Sequence, residues 1–334
     1  MAGRRDDRGA TKRVFITAPL PGRAVPYLRE RYDVTVFEAG RAPTGPELAR
    51  EVASADALIT MLTDRIDRYV IDHCPRLRVI ANCAVGYENI DLDAARERGI
   101  VVTTTPGVLT ETVADLAWAL ILAVARRIPE GDQLTREGRF QGWQPTLLLG
   151  LDVHGRTLGI YGMGEIGTAV ARRSKGFGMR VIYHNRGRRP DAERELGARW
   201  VEFRELLAES DFLVISAPLN DATLGRFGMA EFRRMKRSSV LINVGRGPIV
   251  RERELAEALR ERIIWGAGLD VYEREPEVEE ALLAQRNTVL LPHVGSATLE
   301  TRERMAMMAA CSVETVLEGG VPTNAVVVPS GKGN

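Results

Sequence analysis

Short apolar runs bounded by turn residues recur along the chain, and the stretches between them carry apolar residues at helical spacing. The runs at 13–17, 34–38, 57–61, 77–81 and 101–103 predict strands, and the stretches at 23–32, 47–53 and 92–98 predict helices between them. Strands alternating with helices over short connections imply a parallel α/β layer. Residues 84–91 read as a loop, and Thr105-Pro106-Gly107 as a break suited to a hinge. From Thr112 to about Arg126 runs a longer helix with Glu111 and Asp115 at its start and arginines at its end. It is apolar nearly all round, as a helix buried between domains is. Residues 136–149 read as irregular and carry an exposed Trp143.

A second series of apolar runs follows at 158–161, 180–183, 212–215, 240–243, 266–270 and 289–291. A final helix at about 300–317 starts after a cap at 296–298, and an extended tail occupies 322–328. The first run of this series passes straight into Gly162-Met163-Gly164-Glu165-Ile166-Gly167, and Thr168-Ala169-Val170-Ala171 then opens a helix. Gly162 permits the tight turn, Gly164 lets a pyrophosphate approach the backbone, and Gly167 lets the helix pack closely on the strand. The free N–H groups and positive dipole end of that helix suit a pyrophosphate. Strand, glycine turn, helix and second strand together predict a dinucleotide site rather than an ordinary glycine-rich turn.

The residue that ends the second strand of that unit bears on which dinucleotide is used. NAD sites place a carboxylate about 20 residues beyond the first glycine, to accept from the adenosine ribose. Here that place is taken by Asn185, followed by Arg186-Gly187-Arg188-Arg189. A carboxylate repels a 2′-phosphate, whereas asparagine beside a guanidinium binds it. The sequence therefore predicts NADPH as the preferred cofactor, with NAD the alternative. The bland reading of the basic run is a solvated loop.

Composition narrows the class. The chain has 334 residues, 45% of them hydrophobic, enough for two domains with sizeable cores. A net charge of +1 gives no electrostatic reason to expect nucleic acid or a membrane surface. The longest apolar stretch, 116–125, is too short to span a bilayer. The three cysteines show no metal spacing, so no metal is expected and a reducing cytoplasm fits best. Residues 1–12 read as a frayed, charged extension with no apolar core of a secretory signal. The chain shows no internal repeat of solenoid length.

Three strand ends carry candidate chemistry. His293 follows the last apolar strand, in Leu291-Pro292-His293-Val294-Gly295. A lone histidine at such a place is more often a structural hydrogen-bonder than a catalyst. Two neighbouring strand ends change that reading: Asn243-Val244-Gly245-Arg246-Gly247 and Leu269-Asp270-Val271-Tyr272-Glu273-Arg274-Glu275-Pro276. Ligands of open α/β sheets bind outside the carboxyl ends of the strands. An arginine, an acid and a histidine gathered there suit hydride transfer to a carbonyl. Arg246 would polarise the carbonyl and hold a neighbouring carboxylate. His293 would donate a proton near neutrality, and Glu275 beside it would favour the imidazolium.

These stretches resemble the D-isomer-specific 2-hydroxyacid dehydrogenase family over nearly the whole chain, from about Val14 to Val328. The motifs carrying the resemblance are Gly162–Gly167, 244–250, 268–276 and 291–298. It implies Arg246, Glu275 and His293 as catalytic residues. Within the family, 84–91, 105–127, 143–150 and 176–186 are most similar to the glyoxylate/hydroxypyruvate reductases. Phosphite-oxidising relatives place a lysine where this chain has Val85, and formate dehydrogenases a glutamine where it has Glu275. Many 3-phosphoglycerate dehydrogenases add a regulatory domain after the core, whereas this sequence stops at Asn334.

The resemblance implies an α/β fold of two Rossmann-like domains with doubly wound parallel sheets. One is a discontinuous, flavodoxin-like substrate domain, 1–106 with 294–334; the other is the NAD(P)-binding domain, 107–293. It implies a homodimer and a small 2-oxo acid substrate, glyoxylate or hydroxypyruvate, reduced to glycolate or D-glycerate. Expected cofactor contacts are Thr112, Gly162, Met163, Gly164, Glu165, Ile166, Gly167, Asn185, Arg186, Gly187, Val244, Gly245 and Asp270. Expected substrate contacts are Arg246, the backbone N–H groups of Val85 and Gly86, Leu62, and Trp143 of a second subunit. The alternatives are a D-lactate or 3-phosphoglycerate type of dehydrogenase, or a dinucleotide-sensing protein of the co-repressor kind.

Overall fold

The computed structural model describes residues 11–328; the extension expected at 1–12 lies almost wholly outside them. The chain divides into two compact units. One takes the described residues up to Leu109 together with those from Ser296 onward, and the other is Thr110–Gly295.

The first unit is built on β1 (Arg13–Ile16), β2 (Asp33–Val36), β3 (Ala57–Thr60), β4 (Val79–Asn82) and β5 (Val101–Thr103), joined by β13 (Ala325–Val327). Their order is β2-β1-β3-β4-β5-β13, all parallel except β13, which runs antiparallel to β5. The first five follow the flavodoxin-like arrangement. Alternate residues of one strand serve opposite faces. Phe15, Leu58, Ile80 and Val102 pack with Leu48, Val52, Val70 and Ala94 on one side. Val14, Ile16, Ile59 and Val79 meet Leu28 and the Ala306, Ala310 and Val313 stripe of helix Leu299–Leu317 on the other. Thr298 caps that helix by accepting from the Thr301 N–H at 3.2 Å.

The second unit contains β6 (Thr157–Tyr161), β7 (Arg180–His184), β8 (Arg199–Trp200), β9 (Phe212–Ile215), β10 (Val240–Asn243), β11 (Gly266–Leu269) and β12 (Thr288–Leu290). The order β8-β7-β6-β9-β10-β11-β12 is parallel throughout. It is the doubly wound dinucleotide-binding order with one further strand, and its direction reverses between β6 and β9. Helix Thr110–Ala125 packs on helix Glu165–Arg173 and on β10 and β11. Its Trp118 Nε1 donates to Val170 O at 3.0 Å, and the indole stacks on Phe177 with ring centres 4.4 Å apart.

The structure departs from the sequence reading in several places. The units meet the chain at 109/110 and 295/296 rather than 106/107 and 293/294, because the long helix starts at Thr110 and the Asp270 carboxylate holds the Gly295 N–H in the second unit. Helix Ile128–Arg136 is absent from the sequence pattern, and none of its residues is buried. Several helices of four to nine residues, Arg68–Asp72, Pro190–Leu196, Phe203–Glu209, Met229–Phe232, Glu252–Arg260 and Glu280–Leu283, are also left unassigned by the pattern.

Candidate active site

The sequence places a glycine turn directly after β6, and the local geometry follows from it. Gly162 has φ +104°, and a Cβ there would come within 2.5 Å of the Ala217 N. Gly164 is the residue before helix Glu165–Arg173, which has no side-chain cap. A Cβ built on Gly164 meets nothing within 4 Å, whereas one on Gly167 would stand 2.3 Å from Gly162 O. The helix end is therefore open to an anion at Gly164 and closed against the strand at Gly167, which fits a pyrophosphate. Glu165 is exposed and accepts from Thr110 Oγ1 at 3.2 Å; Thr112 lies in the first turn of the same neighbouring helix. Val244 and Gly245 follow β10, with the Val244 N–H donating to Ile215 O at 3.1 Å.

At the end of β7, Asn185 has a role the sequence did not reveal. Its Oδ1 accepts the Met163 N–H at 2.7 Å, and its own carbonyl accepts from Trp200 Nε1 at 3.1 Å. The amide is thereby oriented, and its Nδ2 remains as the donor. Arg186 and Gly187 are exposed on the loop that follows, while the next arginine, Arg188, is bound by Glu193 at 2.6 Å.

Arg246, Glu275 and His293 come from the loops after β10, β11 and β12, three neighbouring parallel strands. Asn243 closes an Asx-type turn, accepting from the Gly245 N–H at 3.1 Å and donating to Arg246 O at 3.0 Å. Gly247 is required just beyond, since a Cβ there would lie 1.7 Å from Tyr272 O. His293 sits in the left-handed region at φ +53°, uncommon for a residue with a side chain and enriched at functional sites. Asp270, 2% exposed, holds it there: its two carboxylate oxygens accept the N–H groups of Val294 at 2.7 Å and Gly295 at 2.8 Å. Burial pushes the Asp270 carboxyl above its ordinary range, against the pull of those two N–H donors and the His293 charge.

His293 Nδ1 lies 2.7 Å from Glu275 Oε2. Glu275 Oε1 accepts the Tyr272 N–H at 3.0 Å. Burial raises the Glu275 carboxyl, but the hydrogen bonds from His293 and Tyr272, with the His293 and Arg246 charges, outweigh it and hold the group below its usual value. The Tyr272 hydroxyl, driven up by burial and by the surrounding carboxylates, donates to Leu291 O at 2.9 Å and ties the acid loop to the histidine strand. Sequence reasoning missed the parts played by Tyr272 and Asn243. The asparagine just ahead of a Gly-Arg-Gly turn was the available signal for one; the other has none in the linear order.

Val85, Gly86 and Leu62 belong to the first unit. Val85 is 38% exposed on the loop after β4, and the Gly86 carbonyl accepts from Asn82 Nδ2 at 2.7 Å. Leu62 sits on the loop after β3, which Asn89 Nδ2 holds through Met61 O at 3.1 Å and Asp64 O at 3.0 Å. Trp143, in the second unit, is 85% exposed on the irregular segment 137–150 beside the exposed Phe140 and Leu149. Among the described residues no cluster of three or more histidines, cysteines or carboxylates is placed to hold a metal, and no helix is long and apolar enough to cross a membrane.

Comparison with known proteins gives one consistent family. Residues 118–295 match the D-isomer specific 2-hydroxyacid dehydrogenase, NAD binding domain. A glyoxylate reductase of Thermococcus kodakarensis is 47% identical over 318 residues, covering 94% of this chain and 96% of that protein. A solved structure from Thermus thermophilus superposes with a TM-score of 0.90 at 47% identity, covering 94% of this chain and all of that one. An NADPH-dependent glyoxylate/hydroxypyruvate reductase from Sinorhizobium meliloti, solved with NADP and malonate, gives a TM-score of 0.85 at 34% identity, covering 95% of this chain and 97% of its own.

Proposed function

The chain belongs to the D-isomer specific 2-hydroxyacid dehydrogenase family of NAD(P)-dependent enzymes, and from that premise we propose that it reduces a small 2-oxo acid, glyoxylate or hydroxypyruvate, with NADPH. The observation that carries the reading is the 2.7 Å contact between His293 and Glu275, beside Arg246, at adjoining strand ends of the dinucleotide-binding sheet. Relatives named as glyoxylate reductases over nearly the whole chain support the substrate class.

A nicotinamide bound at this sheet would supply a hydride for the carbonyl carbon. Arg246 grips the substrate carboxylate and the adjacent carbonyl oxygen, lowering the cost of negative charge on that oxygen. His293 gives the proton to the same oxygen from Nε2, since Nδ1 is engaged with Glu275. Glu275 fixes the imidazole's orientation and favours its charged form. Gly162–Gly167 receive the pyrophosphate, Thr112, Val244 and Gly245 line the cofactor's path, and Asn185 Nδ2 with Arg186 takes the 2′-phosphate. In the first unit, the N–H groups of Val85 and Gly86 and the Leu62 side chain are assigned to substrate recognition. The enzyme acts in the cytoplasm as a homodimer in which the exposed Trp143 reaches the partner's site.

The test is NADPH oxidation across a panel of glyoxylate, hydroxypyruvate, pyruvate and 3-phosphohydroxypyruvate, with NADH in parallel. Turnover of glyoxylate and hydroxypyruvate ahead of the others, and D-glycerate as the product from hydroxypyruvate, supports the reading. Dinucleotide binding with no turnover on any acid refutes it in favour of a sensor.

A further inference from the structure

A buried carboxylate outside this scheme lies beside it. Glu252 opens helix Glu252–Arg260, yet its side chain is not spent on that helix's own free N–H groups, the usual partners of an acid at a helix start. It is 4% exposed, and both oxygens turn to the loop after β11. Oε1 accepts the Glu273 N–H in a very short hydrogen bond, and Oε2 accepts the Glu279 N–H at 3.3 Å. The Glu273 carboxylate returns the bond by accepting the Glu252 N–H at 3.2 Å. A buried acid is tolerated when such donors compensate its desolvation.

The two donors flank Glu275 in sequence, one on each side. Between them the chain turns back on itself, with the Glu277 N–H donating to Arg274 O at 2.9 Å. The loop that presents the acid to His293 is thus pinned to the helix start at both its ends. We propose that Glu252 is a positioning residue for the acid–base pair: by clamping the N–H groups of Glu273 and Glu279 it holds the Glu275 carboxylate at hydrogen-bond distance from His293. This rests on the reading of Glu275 and His293 as that pair. Burial pushes the Glu252 carboxyl up, and the Glu273 and Glu279 carboxylates add to the push against the two N–H donors. The titratable and charged groups facing Glu275 are His293, Arg246, Asp270 and Tyr272.

Three variants separate position from charge. Glu252→Gln keeps the length but turns one acceptor into a donor. Glu252→Asp keeps the charge and withdraws it by one methylene. Glu279→Pro leaves Glu252 intact and deletes one of the N–H groups it holds, at a residue whose φ of −54° already suits proline. Each is compared with wild type and Glu275→Gln in the pH profile of kcat/KM for 2-oxo acid reduction, with dinucleotide binding by fluorescence as the control for folding. The expected result is a shift of the alkaline limb to lower pH in all three, in the direction of Glu275→Gln. Above that limb kcat/KM falls about tenfold, on the scale of a sub-ångström misplacement, while dinucleotide affinity is kept. A limb that moves in Glu275→Gln but stays at the wild-type position in Glu279→Pro and Glu252→Asp overturns the proposal and leaves the acid–base reading standing. A limb unmoved in Glu275→Gln overturns both. If Glu252→Gln does not fold, Glu279→Pro and Glu252→Asp decide.

Discussion

The Glu275→Gln substitution probes the proposed chemistry most directly, because glutamine can still accept from His293 Nδ1 while the negative charge is gone. Two unit charges about 4 Å apart interact by about 1 kcal/mol in bulk water and about 4 kcal/mol at the dielectric of a protein surface. The side chains of His293 and Glu275 are 33% and 31% exposed, so solvent screening keeps the value in the lower part of that range. One pH unit corresponds to about 1.4 kcal/mol. The sign follows from the pairing: hydrogen bonds from His293 and Tyr272 and the His293 and Arg246 charges keep the Glu275 carboxylate ionised, and that negative charge helps the pair retain its proton. Without it the pair gives up its proton at lower pH. The alkaline limb of kcat/KM for reduction should therefore fall by about one pH unit, and by no more than about two. The assay follows NADPH absorbance at saturating cofactor and subsaturating glyoxylate from about pH 5 to about pH 10. A limb that does not move would refute the assignment of Glu275 as the group tuning the proton donor.

His293→Ala should lower kcat for reduction by about 10² to 10⁴ while leaving NADPH titration unchanged; wild-type turnover in that variant overturns the mechanism. Arg246→Lys keeps the charge but loses the planar fork, so KM for the acid should rise and kcat fall with cofactor affinity intact, as steady-state kinetics will register. Asn185→Asp combined with Arg186→Ala should reverse the kcat/KM order of NADPH and NADH: the new carboxylate still accepts the Met163 N–H, so the turn survives while the charge facing the ribose inverts. A wild type already preferring NADH would end that argument. Gly247→Ala should give little folded protein in thermal melts, because its Cβ would overlap the Tyr272 carbonyl and displace the acid loop.

Much of this was legible because its signals are local. The glycine turn after β6 and the Arg, Glu and His at three strand ends are each encoded within a few neighbouring residues. The helix Thr110–Ala125 was visible because it is long, with Glu111 in its first turn and arginines just beyond its end. What the sequence hid depends on contacts across the chain. The two-residue strand β8 and the four-residue helices Met229–Phe232 and Glu280–Leu283 are too short for periodicity to register, and tertiary packing rather than propensity defines them. Helix Ile128–Arg136 has no buried face to impose a pattern. Asp270 reads as an acid near a cofactor, and its carboxylate also holds the histidine loop after the neighbouring strand. Asn185 reads as a phosphate ligand, and half of its amide is committed to the glycine turn. The positions of these polar groups were in the sequence; their partners were in the fold.

The interrupted course of the first unit has a bearing on how the protein is made. Residues 110–295 leave the ribosome as one uninterrupted stretch, complete with every strand of their own sheet, and can begin to fold as soon as β12 emerges. The first unit cannot. Its β1 to β5 are synthesised first, but the Ala306, Ala310 and Val313 stripe that covers Val14, Ile16, Ile59 and Val79, and the strand that shields the edge of β5, come only after the whole second unit. For that interval one apolar sheet face and one open edge lack their cover, the state in which nascent chains most need a chaperone. Nonsense or frameshift lesions just before Leu299 should therefore yield a well-folded dinucleotide-binding unit tethered to an aggregation-prone one, rather than a uniformly unfolded chain.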